Sequence, residues 1–167
     1  MSVTLILTRH AKSSWGDPQI DDFDRPLNGR GRKSATAIGA WLAERDLVPG
    51  EVLVSGARRT VETWQGVAPQ MPTQAKMRSE PALYHASAMT ILGALRAASA
   101  PIVMLIAHNP GIGDCARQLA DRAPDHPKFA QYPTCATTVM QFPGPTWRDI
   151  GWGQGQVLEF VVPRELT

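Results

Sequence analysis

Short apolar runs alternate along this chain with segments of helical periodicity, and this alternation limits the possible folds more than any other feature. Residues 3–7 and 102–107 are apolar on both faces, as in strands buried within a parallel sheet. Asn28 is well placed to cap a helix over about residues 29–45, where apolar side chains recur at helical spacing. Strands that alternate with helices predict an α/β fold, a mostly parallel sheet with helices on both faces.

The remaining predicted elements continue the alternation. Strands are predicted at residues 51–54, 76–79, 137–142 and 156–162, and helices at about residues 57–66, 88–98 and 111–119. The last two strands could form an antiparallel edge of the sheet. With 167 residues, of which 43% are apolar, the chain is expected to form one three-layer α/β/α domain over residues 1–167.

Composition argues against several functional classes. The formal net charge is +2 and no run of Lys or Arg is longer than two, so no nucleic-acid partner is expected. The only two cysteines, Cys115 and Cys135, cannot form a disulfide framework, which favours a reducing, cytoplasmic location. The apolar run at residues 3–7 is too short for a signal peptide or a membrane span, so no membrane association is expected. The sequence does not indicate an oligomeric state.

Three predicted strands end beside residues that can bind an anion. Arg9 and His10 follow the first strand, Arg58 follows the second, and His108 follows the strand at 102–107. In open α/β sheets the ligand crevice lies beyond the carboxyl ends of the strands, so these side chains are expected to converge. Guanidinium groups match phosphate oxygens, and the helix start at Arg58 also favours an anion. The residues alone therefore predict a site for a small oxyanion.

Other polar residues have simpler interpretations. Arg59 is expected to be a solvated surface charge, and Cys115 is expected to lie in the core. A zinc site is disfavoured, because His10 and His108 lack a third ligand at metal spacing and the nearby arginines would repel a cation. No metal ion or other cofactor is predicted.

Several motifs resemble those of a known family. Residues 7–15, Leu-Thr-Arg-His-Ala-Lys-Ser-Ser-Trp, resemble the Arg-His-Gly signature of the histidine phosphatase superfamily, which includes the phosphoglycerate mutases. Ala11 and the Lys-Ser-Ser-Trp after it resemble the corresponding residues of the SixA-type branch, the protein phosphohistidine phosphatases. Further matches occur in order at residues 24–31, 55–63, 83–84 and 107–111. The ordered set spans residues 4 to about 113.

The resemblance implies both a fold and a mechanism. The fold would be phosphoglycerate mutase-like, without the inserted lid subdomain of larger members. His10 would be the nucleophile that forms a phosphohistidine intermediate, and Arg9, Arg58 and His108 would form the phosphate pocket. The implied enzyme is a metal-independent phosphatase whose substrate is a phosphorylated, histidine-containing protein.

One region departs from the family pattern. Members that act on phosphate esters usually carry an acidic residue, shortly after the second arginine motif, that protonates the leaving oxygen. Here the alignment places His85 at that position and Glu80 a few residues earlier. Either residue is a candidate general acid, and either could be loop surface.

Two other functions remain open from the sequence. One is a phosphomonoesterase acting on a small metabolite or a nucleotide, which would use the same pocket. The other is a non-catalytic phosphate-binding adaptor module, whose sequence would be expected to lack the nucleophile. His10 is present, which argues against the adaptor.

Overall fold

The computed structural model describes residues 1–167, and its centre is one six-stranded sheet in the order β3-β2-β4-β1-β5-β6. The strands are β1 (Ser2–Arg9), β2 (Glu51–Val54), β3 (Lys76–Ser79), β4 (Ile102–Ala107), β5 (Thr137–Pro143) and β6 (Gln156–Val161). The α-helices are α1 (Gly29–Glu44), α2 (Arg58–Val67), α3 (Ala88–Arg96) and α4 (Gly111–Leu119). Short 3-10 turns occur at Asp22–Asp24, Ala68–Gln70, Pro81–Leu83 and Pro163–Glu165.

Strand pairing confirms the predicted α/β class. Strands β1, β4, β2 and β3 pair in parallel, whereas β5 is antiparallel to β1 and β6 is antiparallel to β5. The antiparallel part therefore forms one edge of a mostly parallel sheet. At the carboxyl end of β1, Thr8 lies opposite Ile106 on one side and Thr137 on the other. This register brings the end of β1 level with the end of β4 and with the start of β5.

The core has two layers because successive side chains of a strand point to opposite faces of the sheet. Leu5 and Leu7 of β1 pack with α3 and α4 in a cluster of 24 buried residues. Ile6 packs on the other face with α1 and α2 in a cluster of 16. These two clusters give the three-layer α/β/α arrangement.

Most predicted boundaries are confirmed to within two residues. Asn28 caps α1 as expected, since its side chain accepts a hydrogen bond from the Gly31 amide. Helix α3 ends at Arg96, two residues before the predicted end. Cys115 lies in the core as predicted, and both cysteines are buried free thiols. No helix has the length and apolar character needed to cross a membrane.

Candidate active site

Two histidines meet at the carboxyl edge of the sheet. His10 follows β1 and His108 follows β4, and their ring centroids are 5.3 Å apart. Both are almost fully buried, with relative exposures of 6% and 3%. The parallel pairing of β1 with β4 produces this convergence, as the sequence predicted.

The protonation of His10 follows from its contacts. Its Nδ1 lies 2.7 Å from the Ala11 carbonyl oxygen, so Nδ1 carries the proton and donates a hydrogen bond to that oxygen. Burial is the main cause that lowers the pKa of His10 to about 3, and the positive charges of Arg9 and Arg59 contribute in the same direction. His10 is therefore neutral near pH 7, and its Nε2 carries a free lone pair.

His108 is held through a chain of hydroxyl groups. Its Nε2 lies 2.7 Å from Ser55 Oγ, which also accepts a hydrogen bond from the Ala57 amide. The Thr60 hydroxyl donates to the Ala57 carbonyl oxygen, so it can only accept the hydrogen bond from Ser55, 3.0 Å away. Ser55 therefore accepts from His108, and the proton of neutral His108 lies on Nε2. Burial and the neighbouring His10 lower the pKa of His108 to about 3.

Three buried polar atoms around this site have no partner: Arg9 Nε, Arg59 Nε and His108 Nδ1. Buried polar groups without a partner are rare in folded proteins. Arg9 donates from Nη1 to the Tyr132 carbonyl oxygen, 3.2 Å away. Its pKa is lowered, first by burial and then by the positive charge of Arg59. Two desolvated guanidinium groups beside neutral histidines form a site that an oxyanion would complete.

Arg58 does not lie in this pocket, and its predicted placement there is corrected by the structure. Its side chain is half exposed and donates from Nε to Glu62 Oε2, 2.8 Å away, on the outer face of α2. The next residue, Arg59, is 2% exposed and supplies the second buried guanidinium. The expectation that Arg59 is a solvated surface charge is therefore also wrong. Helical spacing could have shown this, because Arg59 shares the buried face with Thr63 and Val67.

Asp22 organises one wall of the site, and the sequence did not single it out. It accepts hydrogen bonds from Arg59 (3.0 Å), Arg25 (3.1 Å) and the Tyr84 hydroxyl (2.5 Å). Burial alone would raise the pKa of Asp22, but the hydrogen bonds from Tyr84 and Arg59 hold it well below its usual range. Asp22 therefore remains an anion and fixes the direction of Arg59.

The two candidate acids lie in different places. His85 lies at the mouth of the site, with its ring centroid 5.4 Å from that of His108 and its Nε2 3.3 Å from Asp22 Oδ2. Glu80 is not brought to the site: it pairs with Arg78 at 3.6 Å, next to the edge strand β3. Since β2 lies between β3 and β4, only His85 is a neighbour of His108.

Comparison with known proteins identifies the family. The sequence model of the histidine phosphatase superfamily (branch 1) matches residues 5–87, which include His10, most of β1 and all of α2. The match agrees with the geometry of the paired histidines and the buried arginines. The chain belongs to the histidine phosphatase superfamily.

Solved structures of histidine phosphatases have the same architecture. A protein of Nakamurella multipartitia, provisionally named phosphohistidine phosphatase SixA, is 27% identical with a TM-score of 0.80, over 98% of this chain and 97% of that one. The protein histidine phosphatase SixA complexed with tungstate superposes over the whole of both chains with a TM-score of 0.79 at 20% identity. An uncharacterised chloroplastic protein of Arabidopsis thaliana is 28% identical over 89% of this chain and 71% of its own length.

As a histidine phosphatase of the SixA type, the chain is a hydrolase that acts on phosphate groups. Its fold is the phosphoglycerate mutase-like fold, in which the site stands at the carboxyl edge of a largely parallel sheet. The connection between α2 and β3 holds only the short turn at Ala68–Gln70, with no inserted subdomain over the site.

Proposed function

We propose that this histidine phosphatase removes the phosphoryl group from a phosphohistidine on a protein, by way of a covalent intermediate on His10. The observation that carries the proposal is the state of His10: a buried neutral imidazole whose Nδ1–H is bound to Ala11, so that Nε2 is the free nitrogen. The similarity to a protein named as a phosphohistidine phosphatase supports the choice of substrate.

In the first step, His10 Nε2 attacks the phosphorus in line with the bond to the substrate. A P–N bond forms on His10 and the substrate P–N bond breaks, with its electron pair passing to the substrate imidazole, whose other ring nitrogen already carries a proton, so that the ring leaves neutral. The transition state spreads negative charge over the equatorial oxygens. The guanidinium groups of Arg9 and Arg59 are preorganised donors for those oxygens.

His108 completes the clamp. Ser55 Oγ accepts a hydrogen bond from the Nε2–H of His108, so the Nδ1 lone pair is the part of His108 without a partner. A phosphoryl oxygen that carries a proton can donate a hydrogen bond to this lone pair. His108 would then form a hydrogen bond at each ring nitrogen.

In the second step, water attacks the phosphorus of the His10 intermediate and releases inorganic phosphate. The His10 ring keeps its Nδ1–H on the Ala11 carbonyl throughout, so the phosphorylated ring can depart as a neutral imidazole. The water proton leaves on the phosphate. Neither step requires a strong general acid when both leaving groups are imidazoles.

The surroundings of the leaving group also favour an imidazole. No carboxylic acid stands ready to protonate an alkoxide there, because Glu80 pairs with Arg78 and Asp22 is held as an anion by its hydrogen bonds. Free histidine titrates near pH 6.5, whereas an alkoxide is as basic as hydroxide, so an ester would need the acid far more.

We further propose that residues 1–167 act as a single histidine-phosphatase domain whose partner is the phosphorylated protein. The absence of an inserted subdomain between α2 and β3 supports access by a protruding side chain. Two buried free thiols, Cys115 and Cys135, support a reducing cytoplasmic location.

The test compares kcat/KM for a histidine-phosphorylated protein with kcat/KM for a panel of phosphorylated metabolites and nucleotides. We expect the protein to be preferred, and His10→Ala to abolish turnover of every substrate while the circular dichroism spectrum stays unchanged. A higher kcat/KM for any metabolite would assign the same pocket to a phosphomonoesterase. Retention of turnover by His10→Ala would reject His10 as the nucleophile.

A further inference from the structure

A second concave surface lies on the same side of the molecule as the candidate active site. It is a cavity of about 210 Å³ whose rim carries four cationic side chains, from Lys12, Arg30, Lys128 and Arg164. Ser34 and Thr134 add hydroxyl groups to the lining, and no acidic side chain lines it. We call this surface the basic pocket.

Topology places the basic pocket beside His10. Lys12 is two residues after His10, beyond the carboxyl end of β1. Since β5 is antiparallel to β1 and β6 to β5, the segments before β5 and after β6 leave the sheet at that same edge. These segments carry Lys128 and Arg164. Adjacent strands are about 4.8 Å apart, so the pocket begins at β1 and extends on the order of 10 Å towards β6.

The backbone also joins the basic pocket to the active site. The Cys135 amide, next to Thr134, donates hydrogen bonds to the carbonyl oxygens of Arg9 and His10 at 3.1 and 3.0 Å. On the other side, the Asn28 amide donates to the Lys12 carbonyl oxygen at 3.0 Å. A ligand in the basic pocket would therefore contact the two loops that position the nucleophile.

The charges of the basic pocket are uncompensated. None of its four cations forms an ion pair, and Lys128 Nζ reaches only the amide oxygen of Gln131, 3.4 Å away. Glu165 does not serve as a counter-charge, since its carboxylate is held by His126 at 2.7 Å.

The start of α1 adds to the unfavourable charge. Its first turn has no acidic residue and carries Arg30, although the helix dipole favours negative charge there. Mutual repulsion and the dipole both oppose this arrangement of cations. An anionic partner would relieve both.

The way the cations are presented indicates which anion binds. All four side chains are exposed, and the amide of Gly31 at the start of α1 is already capped by Asn28. Sites for small phosphates rely on free backbone amides and rigid, buried donors, as at the catalytic site. Exposed cations around a cavity are typical of the rim of a protein interface, where they accelerate encounter.

We propose that the basic pocket binds acidic side chains of the phosphoprotein whose phosphohistidine enters the active site. The proposal rests on the proposed function and names the feature that its substrate must carry: carboxylates on the order of 10 Å from the phosphorylated histidine. The small-molecule reaction needs only the catalytic pocket and is independent of this contact.

The test uses the full-length protein and a triple variant, Arg30→Gln, Lys128→Gln and Arg164→Gln. The substrates are para-nitrophenyl phosphate and a protein histidine-phosphorylated with phosphoramidate that has acidic residues around the phosphohistidine. The matched control is Lys33→Gln, which removes an exposed cation of α1 that does not line the pocket. A second protein substrate has those acidic residues changed to amides.

We expect the triple variant to lose about tenfold in kcat/KM on the acidic phosphoprotein, mainly through KM. The loss should shrink in about 1 M salt, where the Debye length is about 3 Å. Turnover of para-nitrophenyl phosphate, the neutralised substrate and the Lys33→Gln control should change less than about twofold.

An unchanged kcat/KM on the acidic phosphoprotein would overturn the docking role. An equal loss on both protein substrates and on para-nitrophenyl phosphate would also overturn it and assign these residues a structural role. Binding of inorganic triphosphate that the triple variant loses, with normal protein kinetics, would make the pocket a small-anion site instead. If wild-type enzyme hydrolyses para-nitrophenyl phosphate but no phosphohistidine protein, the proposed function itself fails.

Discussion

Arg58 and Arg59 are neighbours in the chain, but the Arg58 side chain of α2 is exposed whereas that of Arg59 is buried. The Arg58 guanidinium reaches outward to Glu62, whereas the Arg59 guanidinium is buried against Asp22, 3.0 Å from Oδ2. Arg58 forms a surface ion pair, whereas the next residue of the helix, Arg59, acts electrostatically on both His10 and His108. The helix buries the face that carries Arg59, and this selects the arginine of the site.

This relationship gives a sharp mutational test. Arg59→Ala should lower kcat on para-nitrophenyl phosphate by about 10²–10³-fold, which corresponds to about 2.7–4 kcal/mol, because a preorganised donor to the transition-state oxygens is lost. Arg58→Ala should change kcat less than about twofold, since an exposed ion pair at this spacing contributes only about 0.3–0.5 kcal/mol of stability. A larger loss of kcat in Arg58→Ala than in Arg59→Ala, with both variants folded, would assign the phosphate contact to Arg58 instead.

The positions of the strands could be predicted from the sequence, whereas the long-range polar contacts of Asp22 could not. Apolar runs such as residues 102–107 determine burial directly, so β4 falls where it was expected. Asp22 is different, because its partners Arg59 and Tyr84 lie 37 and 62 residues away in sequence. Nothing within the Asp-rich loop distinguishes the one carboxylate that these long-range contacts select.

The two site histidines should make the protein less stable in acid. Their pKa values are lowered to about 3, whereas unfolded histidine titrates near 6.5. Between these values the unfolded chain binds protons that the folded chain does not, so the free energy of unfolding falls as pH decreases from about 6.5. Each histidine can contribute at most about 1.4 kcal/mol per pH unit in this interval.

Thermal unfolding in phosphate-free buffer at pH 7 and pH 5 would measure this effect. We expect Tm to fall less between the two pH values in His10→Gln and in His108→Gln than in the wild type. Glutamine does not titrate and removes one histidine in each variant. An equal fall in Tm between pH 7 and pH 5 in all three proteins would show that neither imidazole is held neutral by burial.

The hydroxyl chain behind His108 should control its tautomer. Ser55→Ala removes the acceptor of the Nε2 proton, 2.7 Å away, so the neutral ring would no longer be held with Nδ1 free. We expect ¹⁵N NMR of the wild type to show an Nε2–H tautomer and Ser55→Ala to show a mixture. The kcat should fall about tenfold, within the range that one net hydrogen bond contributes. An unchanged tautomer in Ser55→Ala would remove Ser55 as a positioning residue.

Chelators should not change the activity. In the proposed mechanism the charge of the transferred phosphoryl group is met by Arg9 and Arg59, and no three His, Cys, Asp or Glu side chains are grouped to hold a metal ion. Turnover after exhaustive EDTA treatment and gel filtration should therefore equal that of the untreated enzyme. Loss of turnover that a divalent cation restores would contradict the proposed mechanism.

The nature of the leaving group decides whether an acid is required, and His85 tests this. His85 is the candidate acid that lies near His108, whereas Glu80 pairs with Arg78 and serves as the matched control. An alkoxide must be protonated as it departs, and a well-placed acid contributes about 10²–10⁴-fold to such reactions. A substrate imidazole, which titrates near pH 6.5, can arrive already protonated and leave as a neutral ring.

His85→Ala and Glu80→Ala should therefore each lose less than about tenfold in kcat on a phosphohistidine protein. On glycerol phosphate, whose turnover is expected to be slow, only His85→Ala should reduce the rate further. His85→Glu places a carboxyl group beside the anionic Asp22, and the negative charge of Asp22 would favour the protonated form of the new carboxyl group. This variant should therefore improve glycerol phosphate turnover. A loss on the order of 10²-fold on phosphohistidine in folded His85→Ala would mean that P–N cleavage also uses an acid.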